Sequence, residues 1–469
     1  MVFASLVFLC FFLPLNLLLY YASNNNTYRN IVLTAFSLVF YAWGEPVWIT
    51  LLIFSALIDY ANGLWVEKKR GTPWAKLGVI SSVVLNLALL IGFKYSGFLY
   101  ENINALFGTN FTVPKIALPV GISFYTFQTI SYVIDVYRDG VKAQRSFTKF
   151  LLFVSLYHQL VAGPIVRYVH IAHEIDNRRF NWIDISAGIH RFCIGLFKKV
   201  AIANVAGEFV TKYLDGNLAD ISVGEGWFGI IMFSIQIYFD FSGYSDMAIG
   251  LGRMFGFHYH ENFNYPYISK SATEFWRRWH ISLGTFFRDY VYIPLGGNKK
   301  NAYLNLFIVW GLTGMWHGAS WNFILWGLYF GVLIFIEKIF LLKIIEKIPA
   351  FFGHIYLLFA AVLGWALFYF TDFNKLIQFF KLLFGASNAP LWNYEFSFAL
   401  QENIFWMLVA FILCMPVYMW VGRWVARQMK YSQKLYPWVL SMAFQLVLLV
   451  LSIAMLVGNT YNPFIYYRF

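Results

Sequence analysis

Cysteine is almost absent from this chain. There are three in 469 residues, Cys10, Cys193 and Cys414, far apart in apolar runs. No C-x-x-C or Cys/His zinc spacing exists, which argues against a disulfide framework and a thiolate metal centre. Charge is also scarce, at 12% of residues, against about 25% in soluble domains. Several fingerprints are missing too: no phosphate-binding G-x-x-x-x-G-K-[ST] loop, no G-x-S-x-G elbow, no G-x-G-x-x-G in a suitable context. ATP-driven transport and serine hydrolysis are therefore disfavoured. His258 and His260, and His170 and His173, lie close in sequence, but no H-E-x-x-H pattern or carboxylate set completes a site. No metal site is expected.

What the chain does have is apolar surface. It is 60% hydrophobic and 21% aromatic, with a mean hydropathy of +0.60. A soluble core of this size cannot hide that much, so the chain reads as an integral membrane protein. The net charge of +12 does not point to nucleic acid. Its Lys and Arg lie mostly in short loops between apolar segments, where orientation signals and anionic lipid account for them. A basic inner face could also attract an anionic cofactor, but a charge count does not show it.

Apolar segments lie near 2–21, 30–44, 47–66, 76–94, 117–137, 147–166, 184–206, 225–252, 302–317, 320–342, 352–371, 402–422 and 436–458. Helices are the default in lipid, because backbone groups there must be satisfied within the segment. At about twenty residues per crossing, this predicts an all-α, polytopic protein with roughly ten to twelve spans in one domain over 1–469. Segments 30–44 and 302–317 are short, and read as tilted, broken or re-entrant. The N-terminus lacks a basic region and a small-residue cleavage site, so residues 2–21 read as a retained first helix. Loops 67–76 and 138–149 each hold four Lys/Arg; placing them inside puts the N-terminus outside. Residues 253–300 are aromatic, basic and Gly/Pro-punctuated. They are expected to pack between helices and line a cavity. No internal repeat is visible, which counts against common transporter architectures.

Four stretches could carry chemistry. The first is TGMWHGASWNFILWG, 313–327. On a continuous helix His317 would share a face with Thr313 and Ser320, beside Trp321. Gly311, Gly314 and Gly318 would permit close helix approach. A packing role and a functional role both fit His317. The second is SATEFWRRWHISLGTFFRDYVYIP. Glu274 can pair with Arg277 or Arg278, and His280 would share a face with Arg277. An interfacial amphipathic helix explains the arginines, with Trp276 and Trp279 as anchors, but explains His280 less well. The third is IQIYFDFSGYSDMAIG, where Asp240 and Asp246 interrupt an apolar run. An intramembrane carboxylate costs about 2.5–3.5 kcal/mol on insertion scales, so partners are expected; a structural network is the favoured reading. The fourth is HQLVAGPIVRY, a helix break followed by Arg167.

Together these stretches resemble the membrane-bound O-acyltransferase family. The likeness runs through HQLVAGPIVRY, YFDFSGYSDMAIGLGRMFGF, NFNYPYISKSATEFWRRWHISLGTFFRDYVYIPLGGN, LTGMWHGASWNFILWG and the C-terminal VGNTYNPFIYYRF. It is most specific in the central block, about 230–330, and closest to the branch that acetylates alginate and other bacterial polysaccharides. The resemblance implies a ring of helices around a thinner centre with re-entrant or interfacial helices, crossed by a tunnel. It puts the family's histidine at His317 and its second polar residue at His280. It implies O-acetyl transfer, with acetyl-CoA as the donor substrate and no permanently bound cofactor. Its expected partners are an extracytoplasmic acetyltransferase- or esterase-like protein, a polysaccharide acceptor and membrane lipid, with no nucleic acid. The expected location is the bacterial cytoplasmic membrane. The CoA-binding residues stay unassigned; Arg167, Arg277 and Arg278 are candidates. Peptidoglycan O-acetylation and D-alanyl transfer to teichoic acid fit the same signatures. A proton-coupled transporter using Asp240, Asp246 and His317 is the non-enzyme alternative.

Overall fold

The computed structural model describes residues 1–114, 116–161, 163–179, 181–431, 436–458 and 465. Among them every regular element is helical. Most of the C-terminal VGNTYNPFIYYRF signature, and Ala162 of HQLVAGPIVRY, lie outside the described residues. Among the described residues, five helices are long and apolar enough to cross a membrane: Ile49–Lys68, Pro73–Phe107, Ala350–Tyr369, Tyr394–Leu413 and Val439–Gly458. Of the other apolar segments, 225–252 lies in the continuous 32-residue helix Val223–Met254 and the rest form shorter or broken helices, so length and composition alone do not reproduce ten to twelve crossings. The break in 147–166 is an example: Phe147–Ser155 stops, and Tyr157–Leu160 restarts, at Leu156 with ψ of 110°.

The chain divides into two compact units, 1–192 with 244–261, and 193–243 with 262–469. The helix Val223–Met254 contributes to both.

In the first unit, Ile122–Tyr137 is buried almost all round. Its neighbours Ile49–Lys68 and Pro73–Leu90 meet through a polar knot. Asp59 accepts from Ser82 Oγ at 2.5 Å and Asn86 Nδ2 at 2.7 Å, and Ser55 donates to Asn86 Oδ1 at 2.8 Å. A buried carboxylate needs such donors. Gly63 makes room for the Tyr132 ring, which lies 2.5 Å from where a Cβ would stand. Helix Asn26–Ala42 starts where Asn25 accepts the N–H groups of Thr27 and Tyr28, satisfying two orphan donors of the first turn.

The second unit is organised around aromatic rings. Ala302–His317 and Trp321–Ile336 form a tight hairpin. A Cβ on Gly314 would stand 2.3 Å from Phe323 O, and one on Gly327 would stand 2.3 Å from Trp310 O. Gly311 has nothing within 4 Å, so the expected close approach falls on Gly314 and Gly318, not Gly311. Helix Phe373–Leu383, which the segment reading passed over, buries Leu376, Phe379, Leu382 and Leu383. Asp372 caps it by accepting the N–H groups of Asn374 and Lys375.

Candidate active site

Residues 255–301 form an irregular stretch with short helices, as their composition predicts. Ser271 accepts the N–H of Glu274 at 3.1 Å and starts the helix Ala272–Arg278. The fully buried Glu337 carboxylate accepts from Ala272 N at 2.6 Å, Thr273 N at 2.8 Å and Thr273 Oγ1 at 2.6 Å. A carboxylate at a helix N-terminus satisfies orphan N–H groups and matches the dipole. Sequence reading missed Glu337; its signal is a lone acid in the apolar run LIFIEKIF. Of the two expected partners for Glu274, Arg278 is the one it bonds, at 2.9 and 3.1 Å.

That helix ends at Arg278. His280 follows at φ 45°, ψ 53°, as the residue before helix Ile281–Phe287. It therefore does not share a helix face with Arg277: a left-handed residue turns the chain between two short helices. A non-glycine side chain in this conformation stores strain and is held by its surroundings. Here the hold is visible. His280 Nδ1 lies 3.2 Å from Asn262 Oδ1, which also accepts Ser282 N–H at 3.1 Å and Ser282 Oγ–H at 2.9 Å. The Ser282 backbone N–H can only donate, so the Asn262 atom facing it is the oxygen. That oxygen cannot accept from a bare nitrogen, so neutral His280 carries its proton on Nδ1. Nε2 is then a lone pair. It is buried, with no hydrogen-bond partner among the described residues. Burial lowers the pKa of this imidazole well below its ordinary value and favours the neutral form. Phe241 meets the ring edge-on at 4.6 Å.

His317 is the last residue of Ala302–His317. Gly318 leaves the helix at φ −168°, ψ 159°, and Ser320 precedes the next helix. The expected continuous face holds for Thr313 but not for Ser320 and Trp321, because the helix stops at the histidine. The half-buried His317 ring is walled by Trp316 at 4.9 Å, Trp326 at 4.9 Å and Phe368 at 5.2 Å. Trp316 also lies 5.9 Å from His280. One indole thus stands against both imidazoles. Sequence separation of 37 residues gave no sign of this; two helix breaks bring it about.

The two intramembrane aspartates are each paired. Buried Asp240 meets Lys199 Nζ at 2.6 Å and accepts Ile465 N–H at 2.8 Å. Asp246 accepts from Arg191 Nε at 2.7 Å, and Arg191 also binds Glu261 at 2.5 Å. Each carboxylate thus has the partner that its burial cost demands. His258, for its part, binds Glu174 at 2.7 Å.

What the structure brings together is a helical chain with membrane-spanning helices and two histidines set against one indole. The chain belongs to the MBOAT, membrane-bound O-acyltransferase family, whose model matches residues 139–380; it is an O-acyltransferase. It is similar to the probable alginate O-acetylase AlgI of Pseudomonas putida, 37% identical over 497 residues, with 100% of both chains covered. It is similar also to the peptidoglycan O-acetyltransferase of Helicobacter pylori, 34% identical over 72% of this chain and 70% of the relative. The teichoic acid D-alanyltransferase of Bacillus subtilis is 31% identical over 47% of this chain and 60% of its own.

Proposed function

We propose that this protein takes an acetyl group from a cytoplasmic thioester donor, acetyl-CoA, and delivers it across the cytoplasmic membrane for O-acetylation of an exported polysaccharide such as alginate. An extracytoplasmic partner protein completes delivery, and the N-terminus lies outside. The observation that carries the chemistry is the pair His280 and His317, both set against Trp316, with His280 Nε2 buried and bare. Support for the acceptor comes from the alginate O-acetylase relatives, one of which matches along the whole chain.

In the transfer, His317 takes the proton of the attacking hydroxyl. A new C–O bond forms to the acetyl carbon, the thioester C–S bond breaks, and the leaving thiolate is protonated. General-base help of this kind contributes about 10²–10⁴-fold. The tautomer supports an accepting role for His280. Its Nε2 holds an N–H or O–H of either substrate, whereas donation to an oxyanion would require the protonated ring, which burial opposes. The aromatic wall keeps water from the activated acetyl group.

Peptidoglycan O-acetylation remains a second reading, favoured by the Helicobacter relative. A proton relay through Asp240 and Asp246 is disfavoured, because each carboxylate already has a fixed cation.

The test uses purified protein in detergent with radiolabelled acetyl-CoA, following CoA release and label on alginate or its carrier. Wild type is expected to turn over, and folded His317→Ala to lose at least about 100-fold. If neither releases CoA while vesicles carrying the protein move a solute, the enzymatic reading of these histidines fails.

A further inference from the structure

Four arginines crowd one end of the first unit. Arg29, 4% exposed, is held by Ser23 O at 2.8 Å and Asn24 Oδ1 at 2.9 Å, under the Tyr20 ring at 5.0 Å. Arg178, 6% exposed, donates to Tyr20 Oη at 3.1 Å, Glu174 O at 3.3 Å and Asn30 Oδ1, with the Phe257 ring 4.6 Å away. Its stem runs over Gly256 (φ +81°), where a Cβ would stand 3.3–3.6 Å from the stem carbons. Both guanidiniums are buried, and neither has a carboxylate partner among the described residues. Their partners are carbonyls, amides, a phenol and rings, which satisfy hydrogens but leave the charge.

Arg179 and Arg253 stand beside them at a small pocket, with Tyr21, Asn181 and Asp184 also in its lining. No ion pair involves either arginine among the described residues. Asp184 is the one acid in the lining, and it is already shared with His258 Nε2 at 3.5 Å. Burying positive charge without a counter-ion is costly, and proteins offset it with an anion. The forks, rings and uncompensated charge suit a phosphate group, which accepts paired N–H donors from Arg. The enclosed space is about 10 Å³, so the anion sits at the mouth, where Arg179 is exposed.

We infer that this arginine-lined pocket binds the phosphate of an anionic phosphate ester, either a phospholipid headgroup or the nucleotide end of a thioester carrier. The inference does not rest on the roles of His280 and His317. Both ligand sources share one chemistry, and the test tells them apart. Purified full-length protein in phosphatidylcholine nanodiscs is titrated, at constant ionic strength, with CoA and separately with short-chain phosphatidylglycerol. Short-chain phosphatidylcholine is the zwitterionic comparison.

At least one anionic probe is expected to bind saturably. Arg179→Gln with Arg253→Gln is expected to weaken it by roughly tenfold or more, as for lost charge-assisted hydrogen bonds. Lys347→Gln, at an exposed position that is not in the pocket lining, is expected to change nothing. Arg179→Gln alone replaces an exposed side chain and reports even if the double variant folds poorly. CoA binding without phosphatidylglycerol binding assigns the pocket to the donor; the reverse assigns it to lipid; both assign it to phosphate without selection. The inference is overturned if neither anionic probe saturates, if phosphatidylcholine competes equally, or if the arginine variants bind as wild type does. CoA turnover is read in parallel, so loss of binding with intact chemistry at the histidines stays distinct from loss of the enzyme itself.

Discussion

Asn262 decides which nitrogen of His280 is bare, and that choice is testable. Replacing Asn262 with Leu removes the acceptor of three hydrogen bonds, from His280 Nδ1, Ser282 N and Ser282 Oγ. The imidazole is then free to rotate or change tautomer. We expect a loss of about 10–1,000-fold in kcat, by analogy with the cost of a wrong tautomer in a buried catalytic histidine, and little change in KM. Asn262→Asp asks a sharper question. A carboxylate facing Nδ1–H favours the protonated ring, so the His280 pKa rises. Neutral His280 is the working form, and burial holds the wild-type pKa below the ordinary 6.5. The limb that His280 contributes in wild type therefore lies below pH 6.5, and Asn262→Asp moves that limb upward, with activity lost earlier as pH falls. A pH–kcat profile identical in the two proteins would remove Asn262 from the site.

Among elements, the hairpin of Ala302–His317 and Trp321–Ile336 carries His317, and its backbones touch. Gly314 and Gly327 each face a carbonyl oxygen 2.3 Å from an added Cβ. Gly327→Val must spread the hairpin; overpacking of this kind costs about 1–3 kcal/mol. We expect a lower melting temperature in detergent and a fall in kcat, whereas Gly311→Ala, facing open space, leaves both unchanged. The sequence made part of this element legible. Gly314 and Gly318 announced close approach, and Gly318 followed by Ser320 is a stop signal followed by a capping residue, although a continuous helix was expected through them. The other break was not legible. WRRWHISLG holds no Gly or Pro between Arg278 and Ile281, and the left-handed turn at His280 is imposed by Asn262, eighteen residues upstream. No local pattern reports such a tertiary hold. Helix Phe373–Leu383 was readable, with Asp372 as its cap and apolar residues at 376, 379, 382 and 383; apolar-run scanning passes over an amphipathic helix because its mean hydropathy is low.

For the molecule as a whole, the question is what its buried charges are for. Class and membrane character were legible from composition, because burial in lipid leaves a compositional mark. The pairing of each aspartate was legible only as a need, since insertion cost demands a partner without naming it. The structure names them: Lys199 for Asp240 and Arg191 for Asp246. If these pairs are structural, breaking one strands a charge and repairing both ends does not. Asp240→Asn leaves Lys199, itself buried, without its counter-ion, and the cost is about 3–5 kcal/mol. Asp240→Leu with Lys199→Met removes both charges and restores most of that stability. CoA release, per folded molecule, stays within a few-fold of wild type in the double variant, because the two charges it removes neutralise each other, 2.6 Å apart. A proton relay makes the opposite demand: with Asp240 gone, no neutral replacement at position 199 can restore function, however well the protein folds. Thermal unfolding measured beside turnover therefore separates the two. Recovery of both assigns Asp240 and Lys199 to holding the second unit together, and recovery of stability alone gives Asp240 a place in the chemistry.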